Sequence, residues 1–234
     1  VSTVLRRRLG RHSDRCAGLL SVAAVIGREF PIALAAAVAR LCSGDALTAL
    51  DEALASRLVI PVGDPSGGRF LFSHNLIRQS VYDALGQTER TRLHLAVAEV
   101  LEQSVVLDVE QRGRLAHHLL AATPWSDLTK AIRWARVAAE DLASRDAHEE
   151  CAQLYRAAVD AVRITPGDHG DVQYDLQLSE AEAWWKAGRP DRCTAALRLL
   201  SRQNLMVRLP SDGNPGEHET SAVQNSAPGP DPKS

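Results

Sequence analysis

Lysine is almost missing from this chain of 234 residues, which holds only Lys130, Lys186 and Lys233 among 27 basic side chains. None of the three follows a glycine. A P-loop needs Gly-Lys followed by Ser or Thr, because the lysine must reach the terminal phosphates and the hydroxyl must hold magnesium. Nucleotide hydrolysis of that kind is therefore excluded for these residues. Aromatic residues make up 4%, which favours packed helices over a large β-sandwich. The four cysteines, Cys16, Cys42, Cys151 and Cys193, are far apart and form no C-x-x-C pair. They are expected to be reduced thiols buried on apolar helix faces. No apolar run reaches the roughly 18 residues of a membrane span, and no signal-peptide pattern is present. A cytoplasmic chain without membrane contact is expected. A net charge of −2 gives no general attraction to nucleic acid. No G-x-S-x-G, H-E-x-x-H or kinase signature occurs, so no catalytic residue is assigned and the chain reads as a non-enzyme.

What is present is mostly helical periodicity. Residues 1–12, with Arg6, Arg7, Arg8 and Arg11, read as the residual helix of a preceding domain or as a basic nucleic-acid segment. Ser13 and Asp14 are placed to cap a helix to about Ile26, ended by Gly27. Phe30 is an anchor before Pro31, which opens a second helix to about Leu41. Ser43-Gly-Asp45 re-caps a third helix, Ala46 to Arg57, with Leu47, Leu50, Ala53 and Leu54 expected inside. Leu58 to Val62 and Arg69 to Ser73 predict a two-stranded hairpin about a Gly- and Pro-rich turn. Ser73 is expected to cap a helix, about His74 to Leu85, that carries Leu76, Ile77, Val81 and Leu85. Thr88 to Gln103 follows. Three helices and a hairpin are the order of a winged helix, so residues 13–105 are read as a winged-helix-like domain with following helices.

Beyond it only helices are predicted: Asp108–Ala122, Leu128–Ser144, Ala147–Arg163, Val172–Ala187 and Arg189–Arg202. The third carries Cys151, Leu154, Tyr155, Ala158 and Val162 on one stripe, and the last places Cys193, Ala196, Leu197 and Leu200 similarly. These resemble the second helix of tetratricopeptide (TPR) repeats. Residues 106–203 are read as TPR-like antiparallel helical hairpins, and 204–234, rich in Pro, Gly, Ser and Asn, as a disordered tail. The fold class is thus mainly α, with one small β-hairpin.

The stretch Arg69-Phe-Leu-Phe-Ser-His74-Asn-Leu-Ile-Arg78-Gln-Ser-Val-Tyr82 resembles the F-x-F-S-H-x-L-I-R-x-x-x-Y signature that follows the ATPase core in bacterial STAND-class regulators, both LuxR-type and cyclase-linked. Val25-Ile-Gly-Arg-Glu-Phe30 strengthens the resemblance, which covers roughly residues 1 to 203. It implies a piece of a signal-transducing transcriptional regulator without its P-loop domain. In such proteins the winged helix couples nucleotide state to repeats that receive an inducer or partner protein. It also implies a role for His74, since a histidine at the end of the wing touches the β-phosphate of ADP in related ATPases; Arg78, one turn on, would assist or form a salt bridge. ATP or ADP would belong to the parent, and the ATPase domain would act in cis or in trans. The plain alternative for His74 is a helix-start histidine bonded to backbone.

Other residues carry less. His117 and His118 project about 100° apart on a helix, so without a further partner they cannot hold one ion. No metal site is assigned, and the L-A-H-H run is taken as packing, as in the resembling family. Asp51-Glu52 and Glu149-Glu150 read as solvated faces. Trp184-Trp185 could line a peptide groove, with Trp184 favoured as core; no partner-binding residue is assigned. The third helix shows Asp45, Asp51 and Glu52, which would repel phosphate, so direct DNA reading is disfavoured. Two alternatives stay open: a stand-alone winged-helix DNA-binding factor, or a fragment of an ATPase or nucleotide cyclase. A truncated or frame-changed gene would account for both ends of the chain.

Overall fold

The structure, a computed structural model, describes residues 12–64 and 67–208. The basic segment 1–11 and the tail beyond 208 lie outside the described residues. Among those described, ten helices surround one small antiparallel sheet.

Helix α1 (Asp14–Ile26) begins where the Ser13 hydroxyl accepts from the Cys16 amide. It is apolar nearly all round and buried from Cys16 through Ile26 at eight positions, as a central helix must be. Gly27, at φ 150°, turns the chain into β1 (Glu29–Pro31). This strand was not expected. It pairs antiparallel with β3 (Arg69–Phe72), which in turn pairs with β2 (Val59–Pro61), giving the order β1-β3-β2. Along β3 the burial alternates, so Phe70 and Phe72 point inward with Phe30. Ring centroids of Phe30 lie 6.4 and 5.8 Å from those of Phe70 and Phe72. The hairpin turn closes with Gly63 and Gly68 at φ 66° and 63°, a region open to glycine at no steric cost.

Between β1 and β2 lie α2 (Ile32–Val38) and α3 (Ser43–Ala55). Helix α2 stops three residues short of the expected Leu41, because Arg40 takes a left-handed φ of 55°. Helix α3 starts at Ser43 behind Cys42, with no side-chain cap, so the Ser-Gly-Asp re-capping is not used. Its buried face is Ala46, Ala49, Leu50 and Ala53, while Leu47 is exposed. Leu50 and Ala53 are buried as expected and Leu54 packs against the core, so only Leu47 departs from the expected stripe, with Ala46 and Ala49 inward in its place.

Helices α4 (Asn75–Ala84), α5 (Gln87–Glu102), α6 (Val109–Ala121), α7 (Leu128–Ala143), α8 (His148–Ile164), α9 (Gly170–Lys186) and α10 (Pro190–Arg208) follow. The cap of α4 is His74, without a side-chain bond. Ser73 instead donates its hydroxyl to Arg57 O at 2.7 Å, fastening the end of β3 to the loop before β2. Leu76 faces solvent, and Ile77 and Val81 carry the buried face. Asp108 and Gln111 form a reciprocal capping box on α6, and Asp127 caps α7. From α5 onward each helix packs on the next in sequence. Helix α10 continues to Arg208, so residues 204–208 belong to it and not to the expected tail; Leu205 and Met206 are good helix formers.

One buried cluster runs continuously from Cys16 in α1 to Leu176 in α9, across the expected boundary at 105/106. A smaller one joins Ala139, Cys151, Ala152, Ala183 and Trp184. The cysteine expectation holds for Cys16 and Cys151; Cys42 is exposed and Cys193 half-buried. Among the described residues no single helix is long and apolar enough to cross a membrane.

Candidate functional site

The turn from β3 into α4 presents His74 to solvent in extended backbone, φ −137° and ψ 139°. Among the described residues its side chain has no hydrogen bond, ion pair or ring contact. Arg78 faces inward instead. Its Nη1 donates to Ala24 O at 2.9 Å, in the last turn of α1, where a guanidinium meets exposed carbonyls and the negative end of the helix dipole. Among the described residues no contact joins His74 to Arg78, and Arg78 forms no salt bridge with a carboxylate.

Acidic side chains on α3 are tied down locally. Glu52 accepts from the Ser13 amide and hydroxyl at 2.8 and 2.6 Å and lies 3.0 Å from His12 Nδ1. These bonds to Ser13 hold its carboxyl below the usual range. Asp45 pairs with Arg15 at 2.8 Å. Two of the three carboxylates expected to repel DNA phosphate, Glu52 and Asp45, thus brace the start of α1.

A charged joint links the sheet to α6. Arg69 opens β3, and its Nε donates to Glu29 of β1 at 2.6 Å. Its two Nη atoms donate to both Glu110 oxygens at 3.1 and 2.9 Å, a bidentate arrangement that fixes direction as well as distance. Arg114, one turn along α6, donates to Glu110 at 2.7 Å and to Glu29 O at 3.2 Å. Hydrogen bonds from Arg69 and then Arg114 pull the Glu110 carboxyl down to about 2. A cavity of about 350 Å³ borders the joint, lined on its apolar side by Pro31, Leu34 and Leu101. The sequence did not reveal Glu110 as a partner of Arg69, from which it lies 41 positions away.

A second group gathers four side chains from α4, α5 and α6. Tyr82 Oη lies 3.3 Å from His94 Nε2, and His94 Nδ1 lies 2.8 Å from His118 Nδ1. His117 packs edge-on against both, its ring centroid 5.8 Å from that of His94 and 5.2 Å from that of His118. His94 and His118 are buried, while His117 keeps an exposed side. Desolvation by burial pushes the pKa of His94 down to about 4 and those of His117 and His118 below the ordinary range. Among the described residues the His118 Nε2 atom is enclosed without a hydrogen-bond partner. His94 is the further partner that adjacent histidines lack. The sequence reading missed His94, which lies with Val97, Ala98 and Leu101 on the buried face of α5 at a spacing that helical periodicity could have flagged.

A third site lies between α8, α9 and α10. Glu180, 1% exposed, accepts from Arg156 Nε at 3.0 Å and from the Trp184 indole at 3.2 Å. Burial raises its carboxyl above the usual range. Arg192 lies over the Trp184 ring at 4.7 Å. Trp184 is core, as expected, and Trp185 is 67% exposed. The open groove beside them holds about 340 Å³. No protein-family model matches this chain, and neither curated proteins nor solved structures give a match.

Proposed function

We propose that the chain is a non-catalytic relay module of a STAND-type transcriptional regulator. In this reading residues 13–105 are the winged helix and 106–203 the TPR-like repeats that receive an inducer or partner protein. The nucleotide state of an ATPase domain, present in cis or in trans, is passed between them. The carrying observation is the charged joint. Arg69 sits on the strand that leads directly to His74, and it is bonded in three places to β1 and α6. A displacement of the hairpin therefore pulls on the first helix of the array. Packed cores respond to such a pull by switching arrangement more readily than by bending.

His74, exposed at the end of β3, supports the phosphate-sensing role: an imidazole donor beside the free amides of a helix start suits phosphate oxygens. Arg78 assists by holding α4 against α1, not by reaching the same phosphate. The acid-braced α3 supports a winged helix that does not read DNA.

Native-state hydrogen exchange tests the relay. In Glu110→Gln the β1 and β3 amides should exchange faster although the change lies on α6. Unaltered exchange there would overturn the reading, as would nucleotide turnover by the purified chain or a tight operator complex at physiological salt.

A further inference from the structure

We propose that His94, His117 and His118 form a binding site for one transition-metal ion of the zinc, copper or nickel class, a property beyond the relay. Each offers a ring nitrogen, and the three nitrogens lie within 4.8 Å of one another. Neutral imidazole is the donor these ions prefer. Zinc–nitrogen bonds of about 2.0–2.1 Å place tetrahedral donors about 3.3 Å apart. His94 Nδ1 and His118 Nδ1, at 2.8 Å, are drawn closer than that by the one proton they share. An ion takes the place of that proton once the proton shifts from His118 Nδ1 to its Nε2, which keeps the ring neutral, and once the two nitrogens part by about half an ångström, within the broad χ2 wells of histidine.

Three further features fit an ion. Tyr82 Oη stands 3.3 Å from His94 Nε2, and by accepting that N–H it leaves Nδ1 bare and aimed at His118. Metal-binding histidines are held in this way by an outer partner. Arg90 lies over the Tyr82 ring at 4.6 Å and keeps the phenol in place. Among the described residues His118 Nε2 is enclosed with no hydrogen-bond partner, so the cluster's own hydrogen bonds leave one ring nitrogen unpaired. His117, on the exposed side, provides the entry path and leaves a fourth coordination position to solvent, the pattern of three-ligand open sites. Arg78 and Arg114 add positive potential at His117 and His118, which works against the cation itself and favours an anion such as hydroxide or chloride at that fourth position.

The test uses the purified full chain and Co²⁺, whose visible bands report four-coordination, with Zn²⁺ as competitor. One equivalent should bind with intense visible absorption and be displaced by Zn²⁺. His117→Ala, a change at an exposed side chain that leaves the fold intact by circular dichroism, should weaken binding by more than the roughly 10–100-fold that loss of an outer partner costs. His169→Ala, on a distant turn, should bind like the parent. The site is refuted if the parent binds no Co²⁺, or if His117→Ala binds it with the parent's affinity and spectrum.

Discussion

Replacing Glu110 by Gln should lower stability at neutral pH and remove a defined part of its pH dependence. The carboxylate binds Arg69 through both oxygens and Arg114 through one. An amide keeps the shape and one acceptor but loses the charge. A pKa of about 2 against an ordinary value of about 4.3 corresponds to about 3 kcal/mol before screening. The Glu110 side chain is 49% exposed and that of Arg69 40%, so solvent screening reduces this to about 1 kcal/mol. With a urea slope of about 2 kcal/mol per molar, the unfolding midpoint should fall by about 0.5 M. The sign follows from a folded-state pKa below the unfolded one. The contribution is complete above about pH 4.5 and is lost as pH falls toward about 2. Urea titrations of parent and variant at pH 7, 5, 4 and 3 should therefore show a gap that is constant down to pH 5 and then narrows. A gap of the same size at pH 3 as at pH 7 would refute the electrostatic account of the joint. So would a variant as stable as the parent at pH 7.

Three other outcomes follow from the packing. Phe72, fully buried against Phe30, should cost about 4 kcal/mol when changed to Ala, read as the shift in the denaturant midpoint. Glu180→Gln should leave stability within about 1 kcal/mol of the parent, because the amide keeps an acceptor for Arg156 and Trp184 and removes a buried charge; Arg156→Met should destabilise by about 2 kcal/mol by leaving that carboxylate poorly paired, as thermal melts at pH 7 will register. Limited alkylation followed by mass spectrometry should mark exposed Cys42 first and spare Cys16, whose thiol pKa burial raises to about 11, since the thiolate is the reactive form.

Local chemistry was written plainly in the chain. Ser13 capped α1 as expected, Gly27 ended it, and Phe70 and Phe72 alternated inward along β3 because strand side chains repeat every second residue. Asp127 began α7, and Trp184 was core. What failed were choices that depend on the neighbour. Leu47 lost the inward position because alanines at 46, 49 and 53 set the face of α3. Ser73 spent its hydroxyl on Arg57 O, a partner 16 positions back. Glu29–Pro31 became a strand only because β3 has an open edge to pair with.

The sequence by itself determined that the chain is helical, where most helices begin, and that a hairpin precedes His74. Periodicity and capping act within a few residues, so they can be read without a fold. Tertiary structure alone decided that Glu110 meets Arg69, that Arg78 turns onto Ala24, and that His94 completes a cluster with His117 and His118. The long-range pairs Arg69–Glu110, Arg78–Ala24 and His94–His118 are 24 to 54 positions apart, and only the packing of β3, α1, α4, α5 and α6 around the shared core brings them within bonding distance.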